Sequence, residues 1–140
     1  MFDIATVSYT DPGAPQAFVK SLRETGFAVL TDHPIDASRI AETYSSWGGF
    51  FNSDAKADWT VNPERQDGYF PFRSENAKDA KAKDLKEFYH VYPDGRVPPD
   101  LEPDTRVMFS DLVGIGQTLL TWVQENSPDE VTDILAEPLP

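Results

Sequence analysis

The sequence predicts an α+β fold, with short strands and helices in the first two thirds of the chain and helices in the last third. Two observations support this prediction. Stretches that alternate apolar and polar residues are interleaved with segments in which apolar residues recur every three or four positions. In addition, 12 prolines divide the 140 residues into short elements, and this length fits one compact domain.

A strand, a helix and a second strand are predicted first. Residues 2–9 alternate in the manner of a strand. Pro15 suits the first position of a helix, and Gly26 suits a left-handed cap at its end. The apolar run FAVL is then predicted to form a buried strand, residues 27–31, that stops at Asp32.

A second helix is expected to begin at a cap formed by Asp36 or Ser38. Gly48 and Gly49 lie inside its apolar pattern, where each glycine is unfavourable relative to alanine. Their presence indicates either that another backbone approaches closely or that the helix ends early at Trp47. The predicted buried stripe of this helix consists of Ile40, Tyr44, Trp47 and Phe51.

The middle of the chain gives weaker patterns. Residues 52–59 indicate a short capped helical turn, residues 61–75 an irregular segment, and residues 76–86 a solvated loop or frayed helix. Residues 87–92 alternate again and predict a strand. The residues on one of its sides are Phe88, His90 and Tyr92.

The last third is predicted to be helical. Asp104 is expected to cap a long helix, and a capping box at residues 127–130 indicates a short final helix. We therefore divide the chain into a mixed region, residues 1–100, and a helical segment, residues 101–140. The stripe that should be largely buried in the long helix consists of Met108, Leu112, Ile115, Leu119 and Trp122.

Charge and composition exclude several classes of function. The formal net charge of −12 opposes binding to nucleic-acid phosphates and to anionic lipid surfaces. The chain has no cysteine, which rules out disulfides, thiolate nucleophiles and cysteine zinc sites. It shows no signal peptide and no apolar run near the roughly 20 residues of a membrane span. We expect a cytoplasmic protein without nucleic-acid or membrane partners.

The two histidines do not form a recognisable metal motif. A non-haem iron site combines two histidines with one carboxylate, commonly as His-x-Asp with a distant second histidine. His33 is separated from Asp36 by two residues, and no aspartate stands two positions after His90. We therefore favour a strand-end histidine with backbone partners for His33, and we assign no catalytic or metal-binding residue. The chain also lacks a nucleophile elbow.

The stretch RQDGYFPFR, residues 65–73, is the candidate binding segment. Two arginines flank its aromatic and turn residues, and guanidinium groups can hold a substrate carboxylate. The alternative, an ordinary packed loop, is the more common use of such a stretch.

Four segments follow one another in a characteristic order: GFAVLTDHPI, FFNSDAK, GYFPF and DLKEFYHVYP. Their order resembles the N-terminal region of the isopenicillin N synthase-like family of iron(II)- and 2-oxoglutarate-dependent oxygenases. Asp32 and Pro34 depart from the Asn and Gly that usually flank the histidine in that family. The matching residues are Gly26, Phe27, His33, Ile35, Phe50, Phe51, Lys56, Gly68, Tyr69, Lys86, Glu87 and Phe88.

The resemblance implies N-terminal helices and strands that brace a jelly-roll oxygenase, with most of the barrel absent from this chain. Iron(II) and 2-oxoglutarate are implied for a full-length relative, whereas this chain would hold neither cofactor. Part of the substrate wall is implied at Arg65, Gln66 and Phe70, although Gln66 replaces an expected arginine. The residue that matches His33 is not an iron ligand in the family.

The resemblance thus implies the N-terminal part of an oxygenase that oxidises a small organic substrate and is not catalytic by itself. The alternative is a free-standing, non-catalytic binding or scaffold module derived from that region. The expected partner is the missing C-terminal catalytic domain or a second copy of the chain. A large exposed apolar face would favour the oxygenase fragment over the free-standing module.

Overall fold

The computed structural model describes residues 4–76 and 82–129, which form an α+β structure with two small two-stranded sheets and no closed barrel. The chain divides into two compact units. Unit 1 comprises Met1–Ile35 and Ser110–Pro140, and unit 2 comprises Asp36–Phe109. The boundary proposed at residue 100 stays a prediction.

Unit 1 begins with a strand, a helix and a second strand, as predicted. Strand β1 (Thr6–Ser8) pairs in parallel with β2 (Val29–Thr31), and helix α1 (Ala14–Thr25) connects them. Both strands are shorter than predicted, and β2 is not the buried strand that was expected, because Val29 is 50% exposed. Gly26 ends α1 in the left-handed conformation, with φ of 80°, and its N–H donates to the Leu22 carbonyl. The predicted left-handed cap is therefore confirmed.

The core of unit 1 contains apolar side chains and one serine. Ser21 accepts a hydrogen bond from the Ala5 N–H (3.1 Å) and donates to the Phe27 carbonyl (2.7 Å), which ties α1 to the segments that flank both strands. Trp122 packs against Phe18 and Tyr9, with ring centroids 5.8 and 5.3 Å away. The buried residues of this unit are Val7, Ala14, Phe18, Ser21 and Ile35.

Unit 2 begins with helix α2 (Ala37–Phe51), which Asp36 caps by accepting from the Ser38 N–H at 2.7 Å. The helix continues through Gly48 and Gly49, and among the described residues no heavy atom beyond the adjoining helix backbone lies within 4 Å of the position of a Cβ at either glycine. Neither explanation offered for the two glycines is therefore correct.

The predicted stripe of α2 is correct only in part. Tyr44 is 78% exposed, and the fully buried residue of the helix is Phe50. Trp47 and Phe51 are half-buried beside Phe50. The stripe was wrong at Tyr44 because only the second half of the helix packs against the aromatic residues of unit 2.

A short 3-10 helix (Asp54–Trp59) follows, in agreement with the predicted helical turn. Strand β3 (Gly68–Phe70) pairs antiparallel with β4 (Phe88–His90) to form a ribbon. Strand β3 lies in the segment that was predicted to be irregular. Part of the predicted loop or frayed helix, residues 77–81, lies outside the described residues.

Helix α3 (Glu102–Glu125) contributes its beginning to unit 2 and its remainder to unit 1. It starts before Asp104, so that residue lies in the first turn and is not the cap. Leu112 is 55% exposed, which contradicts its predicted burial, whereas Met108, Ile115, Leu119 and Trp122 are half-buried. Most of the predicted final helix lies outside the described residues. Within residues 4–76 and 82–129, no helix combines the length and the apolar content of a transmembrane span.

Candidate substrate-wall site

The β3–β4 ribbon carries the candidate site, and its two faces differ. The register pairs Gly68 with His90, Tyr69 with Tyr89 and Phe70 with Phe88. Because side chains alternate along a strand, the ribbon separates them into two sets. We call one set the aromatic face, which consists of Phe70, Phe88, His90 and Tyr92. The other set is the helix face, which consists of Tyr69, Glu87, Tyr89 and Val91.

The aromatic face is a continuous group of rings. Phe70 and Phe88 stack with centroids 4.5 Å apart and an angle of 12° between their planes. His90 lies 4.7 and 4.8 Å from these two rings, and Tyr92 meets His90 edge-on at 6.1 Å. The ammonium of Lys86 lies 4.9 Å from the centre of the Phe88 ring. The predicted side of strand 87–92 is therefore confirmed by these contacts.

On the helix face, Glu87 forms a polar group with a lysine and a tyrosine. Its Oε2 accepts a hydrogen bond from Lys56 Nζ at 2.9 Å and another from the Tyr69 hydroxyl. Lys56 also donates to the Phe51 carbonyl at 2.7 Å. Hydrogen bonds from Tyr69 and Lys56 lower the pKa of Glu87, and the hydrogen bond and charge of Glu87 raise the pKa of Lys56. Glu87 and Lys56 therefore remain a charged pair near neutral pH.

The same environment disfavours ionisation of two tyrosines in unit 2. Burial, followed by the hydrogen bond to Glu87, raises the pKa of Tyr69. Burial raises the pKa of Tyr89 to about 12. The hydroxyl of Tyr89 donates to the Arg96 carbonyl at 2.8 Å, which fixes this ring beside Trp47 at a centroid distance of 4.9 Å.

A buried carboxylate holds the turn that leads into β3. Asp67 is 1% exposed and accepts hydrogen bonds from the Arg96 N–H (2.9 Å) and from Arg96 Nε (3.0 Å). The oxygen that accepts from the Arg96 N–H, Oδ2, also lies 3.1 Å from Arg65 Nε. Burial raises the pKa of Asp67, but the hydrogen bonds and charge of Arg96, with the charge of Arg65, outweigh burial and lower it. Asp67 is therefore ionised in the folded chain.

Gly68 makes room for this ion pair. Its φ is 111°, and a Cβ at this position would lie 2.6 Å from the Trp59 carbonyl and 2.9 Å from Arg96 Nη2. That same Nη2 donates to the Thr60 carbonyl at 3.1 Å. A side chain at residue 68 would therefore displace either the backbone or the guanidinium.

The three residues proposed for the substrate wall have different partners in the structure. Arg65 contacts Asp67 and donates from Nη2 to the Asp94 carbonyl, so its guanidinium bonds within its own loop region. Gln66 adopts a left-handed φ of 59°, and its Nε2 donates to the Pro63 carbonyl at 2.6 Å. Phe70 belongs to the aromatic face and is only 6% exposed. Their contact with a substrate stays a prediction.

Sequence reasoning missed the role of Asp67 and Arg96. One signal could have indicated it: Asp67 stands directly before a glycine and next to aromatic residues. An aspartate that is buried among such residues needs a charged or hydrogen-bonding partner. Its partner follows the turn at residues 93–95, and a distance of 29 residues along the chain carries no periodic pattern. The pairing could not be read from spacing alone.

His33 was expected to have backbone partners, and its Nδ1 has none among the residues that the structure describes. This atom is buried, and no hydrogen bond reaches it within the described chain. Among residues 4–76 and 82–129, no group of three or more His, Asp or Glu side chains could hold a metal ion. The described residues therefore do not fit an iron site, and no chemistry is assigned to one within them.

Comparison with known proteins places these features in a family. A family model described as the N-terminal region of non-haem dioxygenases, named for morphine synthesis, matches residues 3–109. The chain belongs to this family. The predicted resemblance to the N-terminal region of non-haem oxygenases is thereby confirmed. A search of curated proteins found no significant match.

Two solved structures are similar to this family member. A protein assigned as an oxygenase from Shewanella oneidensis is 39% identical, with a TM-score of 0.83, over 98% of this chain and 48% of that protein. A full-length Neurospora crassa protein, solved in complex with 2-oxoglutarate and thymine, is 17% identical, with a TM-score of 0.67, over 86% of this chain and 47% of that protein. The second likeness shows the fold alone. The chain spans about half the length of each structure.

Proposed function

We propose that the chain is the N-terminal part of an iron(II)- and 2-oxoglutarate-dependent oxygenase that oxidises a small organic substrate. The observation that carries this proposal is the extent of the likeness to the Shewanella oneidensis oxygenase, which covers 98% of this chain at 39% identity. In such an enzyme, iron(II) and 2-oxoglutarate would serve to activate dioxygen, which is the oxidant. Residues outside this chain would hold both, and the chain is not catalytic by itself.

Within this proposal the aromatic face and the preceding turn form part of the substrate wall. The contacts of Asp67 with Arg96 and Arg65 fix the turn that presents Gln66. Arg65, Gln66 and Phe70 are the residues that we propose to meet a substrate, together with the exposed edge of His90. The side chains of Arg65 and Gln66 each also donate to a backbone carbonyl of their own region. A neutral amide suits a polar, uncharged substrate group better than a carboxylate.

The partner in this proposal is a C-terminal catalytic half, with self-association of the isolated chain as the second possibility. Unit 1 exposes large apolar side chains on β2, on segments next to β2 and on α3. Exposed apolar surface favours association with another protein when it is contiguous. The two-stranded parallel sheet of unit 1 also leaves strand edges that further strands can pair with. The exposed apolar residues of unit 1 are Ile4, Phe27, Val29, Leu112, Val113 and Leu120.

We also propose a cytoplasmic location.

A reconstitution experiment tests the proposal. The chain is co-expressed with the half of the Shewanella oneidensis oxygenase that the comparison leaves unmatched, and oxygen-dependent conversion of 2-oxoglutarate to succinate is measured. We expect a stable complex and succinate formation above that of either half. A chain carrying Leu112→Asp and Val113→Asp is the matched control and should lose the complex.

The isolated chain provides the second arm. With iron(II) and 2-oxoglutarate it should form no succinate above background. Turnover by the chain alone that is abolished in His90→Ala would contradict the assignment of catalysis to residues outside it. A monomer that binds no hydrophobic dye and no catalytic half would instead support the free-standing module.

A further inference from the structure

A cleft on the helix face of the ribbon has no role in the proposed function, although one of its lining residues, Phe88, also belongs to the aromatic face. It lies between α2 and β4, within unit 2, and has a volume of about 400 Å³. This volume lies within the range of small-molecule sites. Its lining residues are Trp47, Phe51, Glu87, Phe88, Tyr89 and Val91.

The cleft presents ring surfaces whose polar atoms are bonded elsewhere. Trp47 Nε1 donates to Thr105 Oγ1 at 3.1 Å, and the hydroxyl of Tyr89 donates to a backbone carbonyl. Trp47 lies 4.9 Å from Tyr89 and 6.1 Å from Phe51 between ring centroids. These three rings form one aromatic wall, and the face of an aromatic ring carries negative potential.

One carboxylate stands in this lining and has an unused oxygen. Both donors of Glu87, Lys56 and Tyr69, bond to Oε2. No hydrogen bond reaches its Oε1 in the part of the chain that the structure describes, and the side chain is 29% exposed. Lys56 is not part of the lining, and its ammonium is held by Glu87 and the Phe51 carbonyl. Glu87, which is paired with Lys56 through one oxygen, is therefore the charged side chain that a ligand meets among the residues lining the cleft.

We propose that this cleft binds a small, free organic cation with a quaternary or protonated ammonium headgroup. Aromatic faces with an adjacent carboxylate attract such a group through cation–π and charge interactions. A neutral apolar ligand would gain the ring contacts but would desolvate the carboxylate oxygen without compensation. The net charge of −12 further favours a cation over an anion. The inference does not depend on iron, 2-oxoglutarate or a catalytic half.

A pair of isosteres tests the proposal on the chain as it is. Choline carries the quaternary ammonium, and 3,3-dimethyl-1-butanol has the same shape without the charge. Each is titrated into the chain in buffer without iron or 2-oxoglutarate, and the indole N–H resonance of Trp47 is followed by NMR. We expect choline to bind saturably and about tenfold more tightly than the alcohol. The resonance of Trp122, which does not line the cleft, should not move.

Matched variants locate the binding. Glu87→Gln keeps the size of the side chain and should weaken choline binding about tenfold, with little effect on the alcohol. Glu75→Gln removes the same charge outside the lining and should change neither. If Glu87→Gln does not fold, Val91→Lys and Val91→Glu replace it. The lysine should abolish choline binding, and the glutamate should strengthen it.

Three outcomes would overturn the proposal. Equal affinity for choline and the alcohol would mean that the cleft is only an apolar surface, of the kind that an apolar side chain of another protein would occupy. Equal effects of Glu87→Gln and Glu75→Gln would place the attraction in the overall charge. No shift of the Trp47 resonance with either compound would show that the cleft binds neither.

Discussion

The two units bury different kinds of residue. In unit 2 a fully buried carboxylate, Asp67, is matched by the guanidinium of Arg96. The buried side chains described in unit 1 are uncharged, and the polar one among them, Ser21, bonds to backbone groups. Unit 1 therefore depends on apolar burial and hydroxyl bonds, whereas unit 2 also depends on a charge pair. The two should respond differently to mutation, salt and pH, because burial of apolar area is insensitive to charge.

The largest effect is expected when the charge pair is broken from one side. Among the described residues, Arg96→Met leaves the buried Asp67 with Arg65 as its one remaining charged partner, and loss of a partner from a buried pair costs about 3–5 kcal/mol. Denaturant unfolding, followed by circular dichroism, measures the loss. Arg23→Met on the exposed face of α1 is the control and should change stability by less than about 0.5 kcal/mol. A similar small change for Arg96→Met would show that Asp67 does not depend on the pair.

A smaller loss is expected in unit 1. Val7 is buried at the centre of β1, so Val7→Ala should lower the free energy of unfolding by about 2 kcal/mol. The size of this loss should be the same at low and high salt, because no charge is involved. Thr6→Ala, at the exposed neighbouring position, serves as the control. A strong salt dependence of the Val7→Ala loss would contradict the comparison between the units.

Lowering the pH should destabilise unit 2 more than unit 1, because unit 2 contains Asp67. Because the pKa of Asp67 is lower in the folded chain than in the unfolded chain, the stabilisation is present above the unfolded value, near 3.9, and is lost as pH falls through the folded value. Unit 2 should therefore lose structure below about pH 4 before unit 1 does. Amide exchange of Tyr69 and Val7 reports the two units separately. Simultaneous loss of protection at both amides would argue against the difference.

The smallest effect is expected at the exposed side of α3. Leu112→Ala should change the stability of the isolated chain by no more than about 0.5 kcal/mol, because the side chain is already 55% exposed. Leu119→Ala, at a half-buried position of the same helix, should cost more. Thermal unfolding of both variants decides the point. A larger loss at Leu112 than at Leu119 would show that Leu112 is covered in solution, for example by a second copy.

Local signals in the sequence predicted both ends of α1 and the start of α2 better than they predicted strand β3 or the extent of burial. The proline and Gly26 that bound α1 act within a few residues, and so does the cap of α2 by Asp36. Strand β3 was missed because three residues give too short an alternation, and its partner β4 lies about 20 residues further on. The stripes failed at Tyr44 and Leu112 because periodicity identifies an apolar face but not how much of it is covered.

The candidate site was predicted through the family resemblance more than through physical pattern. The Gly-Tyr and Lys-Glu segments that carried the resemblance meet in the structure, where Tyr69 bonds to Glu87. The ion pair between Arg65 and Asp67 could not be predicted from the sequence. Charged residues that lie close together along the chain usually face solvent. Only the three-dimensional contact with Arg96 shows that the carboxylate is internal.

The space reserved at Gly68 has a consequence for directed evolution of this scaffold. A library randomised at residue 68 should return glycine almost exclusively, because any Cβ collides with the Trp59 carbonyl at 2.6 Å. Libraries at Gly48 and Gly49 meet no such obstacle, since within residues 4–76 and 82–129 only the adjoining helix backbone lies near a Cβ at either position. Glycines of one chain thus range from irreplaceable to freely variable, and an engineer who fixed all of them would discard positions at which a better helix former is available.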